Sequence, residues 1–463
     1  MKKKRDLTTG SIYKNLLWVA IPTLLASLVQ MAYNLTDMYW VGQLFYESEA
    51  IAAVATGGFY MWFGYGLIML VKIGTSVNVS HAAGVNNHEA IESYGNNGFI
   101  LMVIVGIIYT LIGVFGGSLF VDFFQFDSQI VIDYAYQYLG VISTFVIAMF
   151  MVNLFNGIYD GLGLTIMTFL VSATGLVLNM ILDPIFIHET LNIFGGTING
   201  LGLEVKGAAI ATVISQSFVL LIYIGIYLGK TRPFHLHPFK YFSLEPMKKI
   251  LKIGYPIALQ SLLFTVIAII MTKMQNAYGF DIVATQRLGS QIEAFAWMVA
   301  SGFQIALASF VGQNFAAGRL DRVKEGYKAS LKMLIPYGIV ISILMYVFSR
   351  ELFAIFFDNP DMLVLGDKYL KILAVSQLFM IVELGTAGAF NGLGKTKYPS
   401  IVGIVGNILR VPLAAVLALS MGFAGIWWAI SISSILKGSV LVYLLVLYLR
   451  KIIHAKATKL ENT

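Results

Sequence analysis

The stretch Ala32-Tyr-Asn-Leu-Thr-Asp-Met-Tyr-Trp-Val-Gly42 places one carboxylate, Asp37, inside an otherwise apolar segment that begins near Asn15. A run of that length is enough to cross a hydrocarbon core of ~30 Å as a helix, so it reads as a membrane span. A charged Asp within a bilayer costs roughly 2.5–3.5 kcal/mol on insertion scales, and such a residue faces protein or water by default. Asp37 is therefore a candidate functional residue.

Segments like this one recur along the whole chain. Of 463 residues, 58% are hydrophobic and 12% charged, and the mean hydropathy is +0.79, far from the composition of a soluble globular domain. Apolar runs occupy residues 14–42, 50–78, 93–117, 130–156, 166–188, 207–229, 249–276, 283–311, 330–349, 364–390, 398–419 and 424–449. Twelve spans make an all-α polytopic membrane protein. The basic start Met1–Arg5 resembles that of a signal peptide, but no small-residue cleavage site follows it, and we expect it to be retained.

The net charge of +7 lies in loops, which argues against a nucleic-acid partner. Lys230, Arg232, Lys240, Lys248, Lys249 and Lys252 crowd the link between spans 6 and 7, Arg319, Arg322, Lys324 and Lys328 follow span 8, and Arg450, Lys451, Lys456 and Lys459 close the tail. By the positive-inside rule these segments and both termini are cytoplasmic, in a multi-pass protein of the plasma membrane. The chain has no cysteine, which excludes a disulfide framework, a thiolate nucleophile and a Cys metal site. His81, His88, His188, His235, His237 and His454 fall in predicted loops or the tail, leaving no histidine relay within the membrane. An intramembrane enzyme would then have only an Asp pair to work with, so neither catalysis nor a cofactor is expected.

The spans repeat. Pro22 has a counterpart in Pro256 and Ala82-Ala83-Gly84 in Ala316-Ala317-Gly318, both 234 residues on; Gly161-Leu162-Gly163 recurs as Gly392-Leu393-Gly394, and the step from Asn179 to Pro184 recurs from Asn407 to Pro412. The expected architecture is two six-helix lobes related by a pseudo-two-fold axis along the membrane normal. Residues 1–229 form the N-terminal lobe, 230–248 a cytoplasmic linker, and 249–463 the C-terminal lobe with its basic tail.

Charge does not follow the repeat. Asp37 corresponds to Met271 and Asp183 to Val411, so only the first copy keeps both carboxylates. Four-residue spacing puts Asn179 and Asp183 on one helix face, and likewise Tyr33 and Asp37. At ~1.5 Å per residue, Asp37, Asp183 and Thr212 share one outer-leaflet layer. Two desolvated carboxylates near each other resist joint ionisation, so the pair can load one cation, H⁺ or Na⁺. Pro22 removes a helix hydrogen bond fifteen residues before Asp37 and suits a coupling hinge; Pro256 reads equally well as an inert kink. Lys72, Lys273, Arg287, Glu293, Glu383 and Arg410 also lie within spans; Glu383 and Arg410 stand on consecutive spans and could pair, and Glu383 is a lesser candidate for a second cation site.

These residues resemble the multidrug and toxin extrusion (MATE) transporters, of the multidrug/oligosaccharidyl-lipid/polysaccharide flippase superfamily. The resemblance covers nearly the whole chain and rests on Pro22 with Tyr33-Asn-Leu-Thr-Asp37, on Asn179-Met-Ile-Leu-Asp-Pro184, on Gly207-Ala-Ala-Ile-Ala-Thr212 and on Gly312-Gln-Asn-Phe-Ala-Ala-Gly318. It implies antiport of cationic or amphipathic drugs outward against H⁺ or Na⁺, with a cation network at Asp37, Asp183, Asn179, Thr212 and Tyr33. Asn156 matches a further network asparagine by its spacing to Asp183, and Na⁺ would take Asp37, Asn179, Asp183 and Thr212. A glutamate and an aspartate carried by one branch are absent from Leu262-Leu-Phe-Thr265 and Phe379-Met-Ile-Val382, so the chain looks like the DNA-damage-inducible-protein-F-like branch, coupled to H⁺. The expected partners are a small cationic or amphipathic substrate and the lipid bilayer, with the protein a monomer. The alternative within the superfamily is a flippase for lipid-linked sugars.

Overall fold

The computed structural model describes residues 6–461 apart from 42, 43, 45, 46, 125, 127, 194, 195, 230–234, 357 and 358; the side chains of 33–35, 37, 38, 47–49, 51, 52, 55, 191–198, 238, 239, 280 and 456–461 also lie outside the described set. Among the described residues there are fourteen helices: α1 (Ile12–Val41), α2 (Glu47–Gly84), α3 (His88–Asp122), α4 (Gln129–Gly161), α5 (Thr165–Ile187), α6 (Glu204–Leu228), α7 (Pro238–Tyr241), α8 (Leu244–Asn276), α9 (Phe280–Ala316), α10 (Leu320–Val347), α11 (Ser349–Ala354), α12 (Pro360–Gly392), α13 (Lys397–Met421) and α14 (Phe423–Glu461). All but the short α7 and α11 are long and apolar enough to cross a membrane, which bears out the twelve spans.

Two details differ from the sequence reading. The stretch between α5 and α6, read as a loop, carries an antiparallel hairpin, β1 (Thr190–Ile193) on β2 (Gly196–Asn199), in the register Thr190↔Asn199. The helices also outrun their apolar cores: α2 continues to Gly84, so His81 is helical, and its Nε2 lies 2.6 Å from the Gly392 carbonyl oxygen. A helix that leaves hydrocarbon keeps its own backbone hydrogen bonds, so it ends where a turn or cap ends it and not where hydropathy falls.

The chain packs as two compact units. One holds the described residues of 25–79 and 87–254, the other those of 6–24, 80–86 and 255–461. In the first, α3 packs on α4, α4 on α6 and α6 on α5; in the second, α10 packs on α12, α12 on α14 and α14 on α13. The partner order recurs with the sequence repeat. So does a close backbone contact: a Cβ on Gly161 would stand 2.4 Å from the Ser76 carbonyl oxygen, and one on Gly392 would stand 2.6 Å from that of Ala308. Only glycine lets α4 approach α2, and α12 approach α9, that closely.

Both units pin a connecting segment with buried polar side chains. In the first, the fully buried Asn96 and Asn97 of α3 hold the chain leading into α8. Asn96 Nδ2 donates to the His235 carbonyl (2.9 Å) and its Oδ1 accepts from the His237 amide (2.7 Å); Asn97 Nδ2 donates to the Tyr241 carbonyl (2.7 Å) and its Oδ1 accepts from the Ser243 amide (2.9 Å). Glu92, one turn earlier, accepts from the Tyr241 hydroxyl and faces His235 Nδ1 at 2.7 Å. In the second, Arg322 donates to the carbonyls of Leu7, Thr9 and Gly10 ahead of α1, and its Nε to Asn314 Oδ1 at 3.0 Å. Burial alone would raise the Asp6 carboxyl there, but hydrogen bonds from Thr8 and Thr9 and the charge of Arg319 outweigh it and hold it below its ordinary value.

Candidate cation-coupling site

Helix α5 is apolar from Thr165 to Ile187 apart from its few polar residues, and Asp183 is its only charge. The four-residue step stacks Asn179 against Asp183: Asn179 Nδ2 donates to Asp183 Oδ1 at 2.9 Å, with both side chains fully buried. A hydrogen bond to an ionised carboxylate is worth about 1.5–3 kcal/mol, against the several kcal/mol it costs to bury the charge. Among the described residues Asn179 Oδ1 has no hydrogen-bond partner, which leaves an amide oxygen beside the carboxylate. Such a pair of oxygens suits a small hard cation.

Helix α6 brings Thr212 to the same level. It runs antiparallel to α5 at very close range, because a Cβ on Gly207 would meet the Phe186 carbonyl oxygen at 2.4 Å and one on Gly175 would meet Val219 Cγ2 at 2.4 Å. Between those two crossings Thr212 lies opposite the Asn179–Asp183 turn, and it is buried. Tyr33 and Asp37 stand on continuous helix in α1, but their side chains lie outside the described residues.

Asn156 belongs to a different layer. It is five residues from the end of α4, whereas Asn179 is fourteen from the start of α5, so the two levels differ by about 13 Å at 1.5 Å per residue. Asn156 Oδ1 accepts from the Tyr223 hydroxyl. Around them, Thr168 Oγ1 donates to the buried Asp160 at 3.4 Å, and Lys72 Nζ approaches Asn153 Oδ1 at 3.4 Å. Asp160 lies just beyond the apolar run 130–156 and beside Gly161-Leu162-Gly163, so hydropathy does not mark it; its signal is the helical step of four from Asn156.

Glu383 lies in the other unit, where it pairs with Lys437 of α14 at 3.4 Å. Arg410 bonds Ser433 Oγ at 2.7 Å and Ser434 Oγ at 3.2 Å through its guanidinium. Lys437 is absent from the charges read within spans, although its place inside the apolar run 424–449 is the same signal that marks Asp37. Pro22 lies inside α1, three residues before the helix passes from one packing unit to the other between Leu24 and Leu25. Pro256 lies inside α8 just after the corresponding passage between Gly254 and Tyr255.

Twelve helices long and apolar enough to cross a membrane, in repeated packing order, define a polytopic membrane protein, and the family and relatives that it matches are transporters, not enzymes. The MatE family model matches residues 22–185 and 256–416, and the chain belongs to that family. The second match starts 234 residues after the first, the same offset that separates Pro22 from Pro256. Among relatives, a Thermotoga maritima protein named "Probable multidrug resistance protein NorM" is 25% identical over 90% of this chain and 88% of its own. A Staphylococcus saprophyticus protein named "Multidrug export protein MepA" is 22% identical, covering 94% of each. A solved structure described as an outward-facing conformation of a multidrug resistance MATE family transporter of the MOP superfamily superposes with a TM-score of 0.87 at 22% identity, over 98% of this chain and 99% of that one; this is a likeness of fold.

Proposed function

We propose that the chain is a secondary active antiporter that exports cationic or amphipathic drugs in exchange for H⁺, with Na⁺ as the other candidate ion. The observation that carries this is the fully buried Asn179–Asp183 pair at 2.9 Å, set level with Thr212 in a unit whose first helix brings Asp37 and Tyr33. A fully buried carboxylate is costly to keep charged, and Asn179, which donates to Asp183, is neutral, so a dissociable ion can supply counter-charge that the amide does not. Loading and release of that ion drive transport only if it binds two states of the protein differently. Pro22 is the proposed hinge. The names of the relatives support drugs as the cargo, and the Lys and Arg of the loops support a plasma-membrane protein with both termini cytoplasmic. Residues 1–229 and 249–463 would act as the two lobes, tied by the segment 230–248, in a monomer.

A flippase for lipid-linked sugars would need cations free to meet a pyrophosphate. The buried Lys437 and Arg410 instead have carboxylates facing them, which favours the drug antiporter.

The test is efflux of a fluorescent cationic drug from proteoliposomes under an imposed pH gradient and, separately, an imposed Na⁺ gradient. Wild-type protein should respond to the pH gradient. Asp183→Asn, nearly the same shape without the charge, should abolish the response. Undiminished gradient-driven efflux by Asp183→Asn would refute the assignment, and a response to Na⁺ alone would reassign the ion.

A further inference from the structure

Four ionisable side chains stand near the middle of their helices in the unit that holds residues 255–461, and the coupling site does not use them. They are Glu293 on α9, Glu383 on α12, Arg410 on α13 and Lys437 on α14. Glu293 is 2% exposed and Arg410 8%; the side chains of Lys437 and Glu383 are 9% and 15% exposed. Two acids and two bases make the cluster neutral.

Their partners are divided unequally. Glu293 has both oxygens engaged by neutral donors, the Tyr369 hydroxyl at 2.7 Å and Gln377 Nε2 at 2.8 Å, and it feels the charge of Arg410. Arg410 spends N–H groups on Ser433 and Ser434, and its charge is shared between Glu383 and Glu293. For Glu383 the only ion pair among the described residues is with Lys437, at 3.4 Å. The lysine reaches it through a prepared slot: a Cβ on Gly406 would stand 2.3 Å from Lys437 Cγ and 2.6 Å from its Cδ. Gly406 thus leaves room for the aliphatic stem to run past α13 towards the carboxylate.

The first repeat has none of this. By the repeat offsets Glu293, Glu383, Gly406, Arg410 and Lys437 correspond to Phe59, Val152, Leu178, Leu182 and Val219. The first copy thus sets the neutral Asn179 beside Asp183, whereas the second places Lys437 and Arg410 among its carboxylates.

We infer that Glu383 is the carboxylate of a monovalent-cation site that is filled by the Lys437 ammonium, a tethered ion standing where a dissociable one would otherwise bind. The consequence is that this unit needs no bound ion to be electrically balanced, and removing the ammonium alone would convert it into a real ion site. This goes beyond the coupling reading and is read out by ion binding, so undiminished gradient-driven efflux by Asp183→Asn would count against that reading and leave this one standing.

The test uses the purified full chain in an Asp183→Asn background, which removes the proposed coupling site, with ²²Na⁺ as the probe and choline as the control cation. Asp183→Asn alone should bind no Na⁺. Adding Lys437→Met should create saturable binding of about one Na⁺ per chain, weakened by protons, and NaCl should raise the thermal midpoint where choline chloride does not. Adding Glu383→Gln to that pair should remove both effects, and Lys437→Arg should never gain them. If the Lys437→Met protein folds only in NaCl, that result also supports the tethered ion. The inference is overturned if Lys437→Met gains no Na⁺ binding and no Na⁺-specific thermal shift, or if Glu383→Gln leaves them intact. It is equally overturned if Lys437→Met folds in neither salt while Lys437→Met with Glu383→Gln folds in both.

Discussion

Replacing Asn96 with Ala tests whether the segment entering α8 is held by side chains of α3. The substitution removes two hydrogen bonds, one to the His235 carbonyl at 2.9 Å and one from the His237 amide at 2.7 Å, from a fully buried position. At a net ~0.5–1.5 kcal/mol each they contribute about 1–3 kcal/mol to keeping the segment docked. At 1.4 kcal/mol per tenfold, the opening equilibrium should shift by about 5- to 150-fold. Hydrogen exchange reads this directly, because the His237 amide is protected only while the segment is docked. The expected result is faster exchange at His237 by that factor, with a smaller rise at Ser243, whose amide is held by Asn97. Asn97→Ala should reverse the pattern. The double variant should fall short of the sum, since both residues grip one segment. Unchanged exchange at His237 in Asn96→Ala would refute the clamp, and a uniform rise across α3 and α4 would show that only global stability had changed.

Gly161→Val or Gly392→Val should each lower the thermal midpoint by the equivalent of about 1–3 kcal/mol or prevent folding, because the new Cβ meets a backbone carbonyl at 2.4 or 2.6 Å; Gly140→Ala, which meets nothing within 4 Å, should stay within about 0.5 kcal/mol. Pro22→Ala restores an N–H to α1, and drug efflux in proteoliposomes should slow while equilibrium drug binding is retained; an unchanged rate would remove the proposed hinge. Arg322→Met deletes the guanidinium's bonds to Leu7, Thr9, Gly10 and Asn314 and should expose residues 7–10 to protease about tenfold faster, as seen by mass spectrometry of the N-terminal peptide.

The scaffold was legible in the sequence because bilayer physics leaves few options: a long apolar run must be a helix, and twelve such runs gave the twelve spans. The repeat was legible through residues with a geometric duty, such as Gly161 and Gly392, whose missing side chains admit a neighbouring backbone. Asn179 and Asp183 were legible as a pair because helical spacing is a local fact, and the structure places them at hydrogen-bond distance. What failed to show was partnership between distant spans. Glu383 was matched in sequence with Arg410 on the next span, whereas its ion pair is with Lys437 on the span after that; pairing depends on which helices pack, and α12 packs extensively on α14. Helix ends were also missed where charged turns continue the helix, as at Leu320–Ala329 of α10, since hydropathy sees only the part in lipid. The β1–β2 hairpin escaped for the same reason, lying where hydropathy assigns only a loop.

Comparison of the two copies separates features required by packing from features that packing does not require. Close helix crossings recur, and so does the proline near the start of the first helix of each copy, with α1 and α8 both changing packing unit within a few residues of it. A proline cannot donate to the carbonyl four residues back, so at each of these points the helix lacks one of the bonds that resist bending. If Pro22 serves as a hinge, Pro256 has the same means, and treating one as a hinge and the other as an inert kink needs a cause outside the backbone. The charges supply that cause. Asp37 and Asp183 have Met271 and Val411 as counterparts, and Lys437 and Glu383 have Val219 and Val152. Packing alone would not select buried ions over apolar side chains of similar size, because apolar replacements are often as stable or more so. If the proposed coupling site takes an ion and the cluster of the second copy is neutralised within the chain, only the helix that carries Asp37 has an ion to answer to, which is why Pro22→Ala should affect coupling to the gradient and Pro256→Ala should affect rate alone.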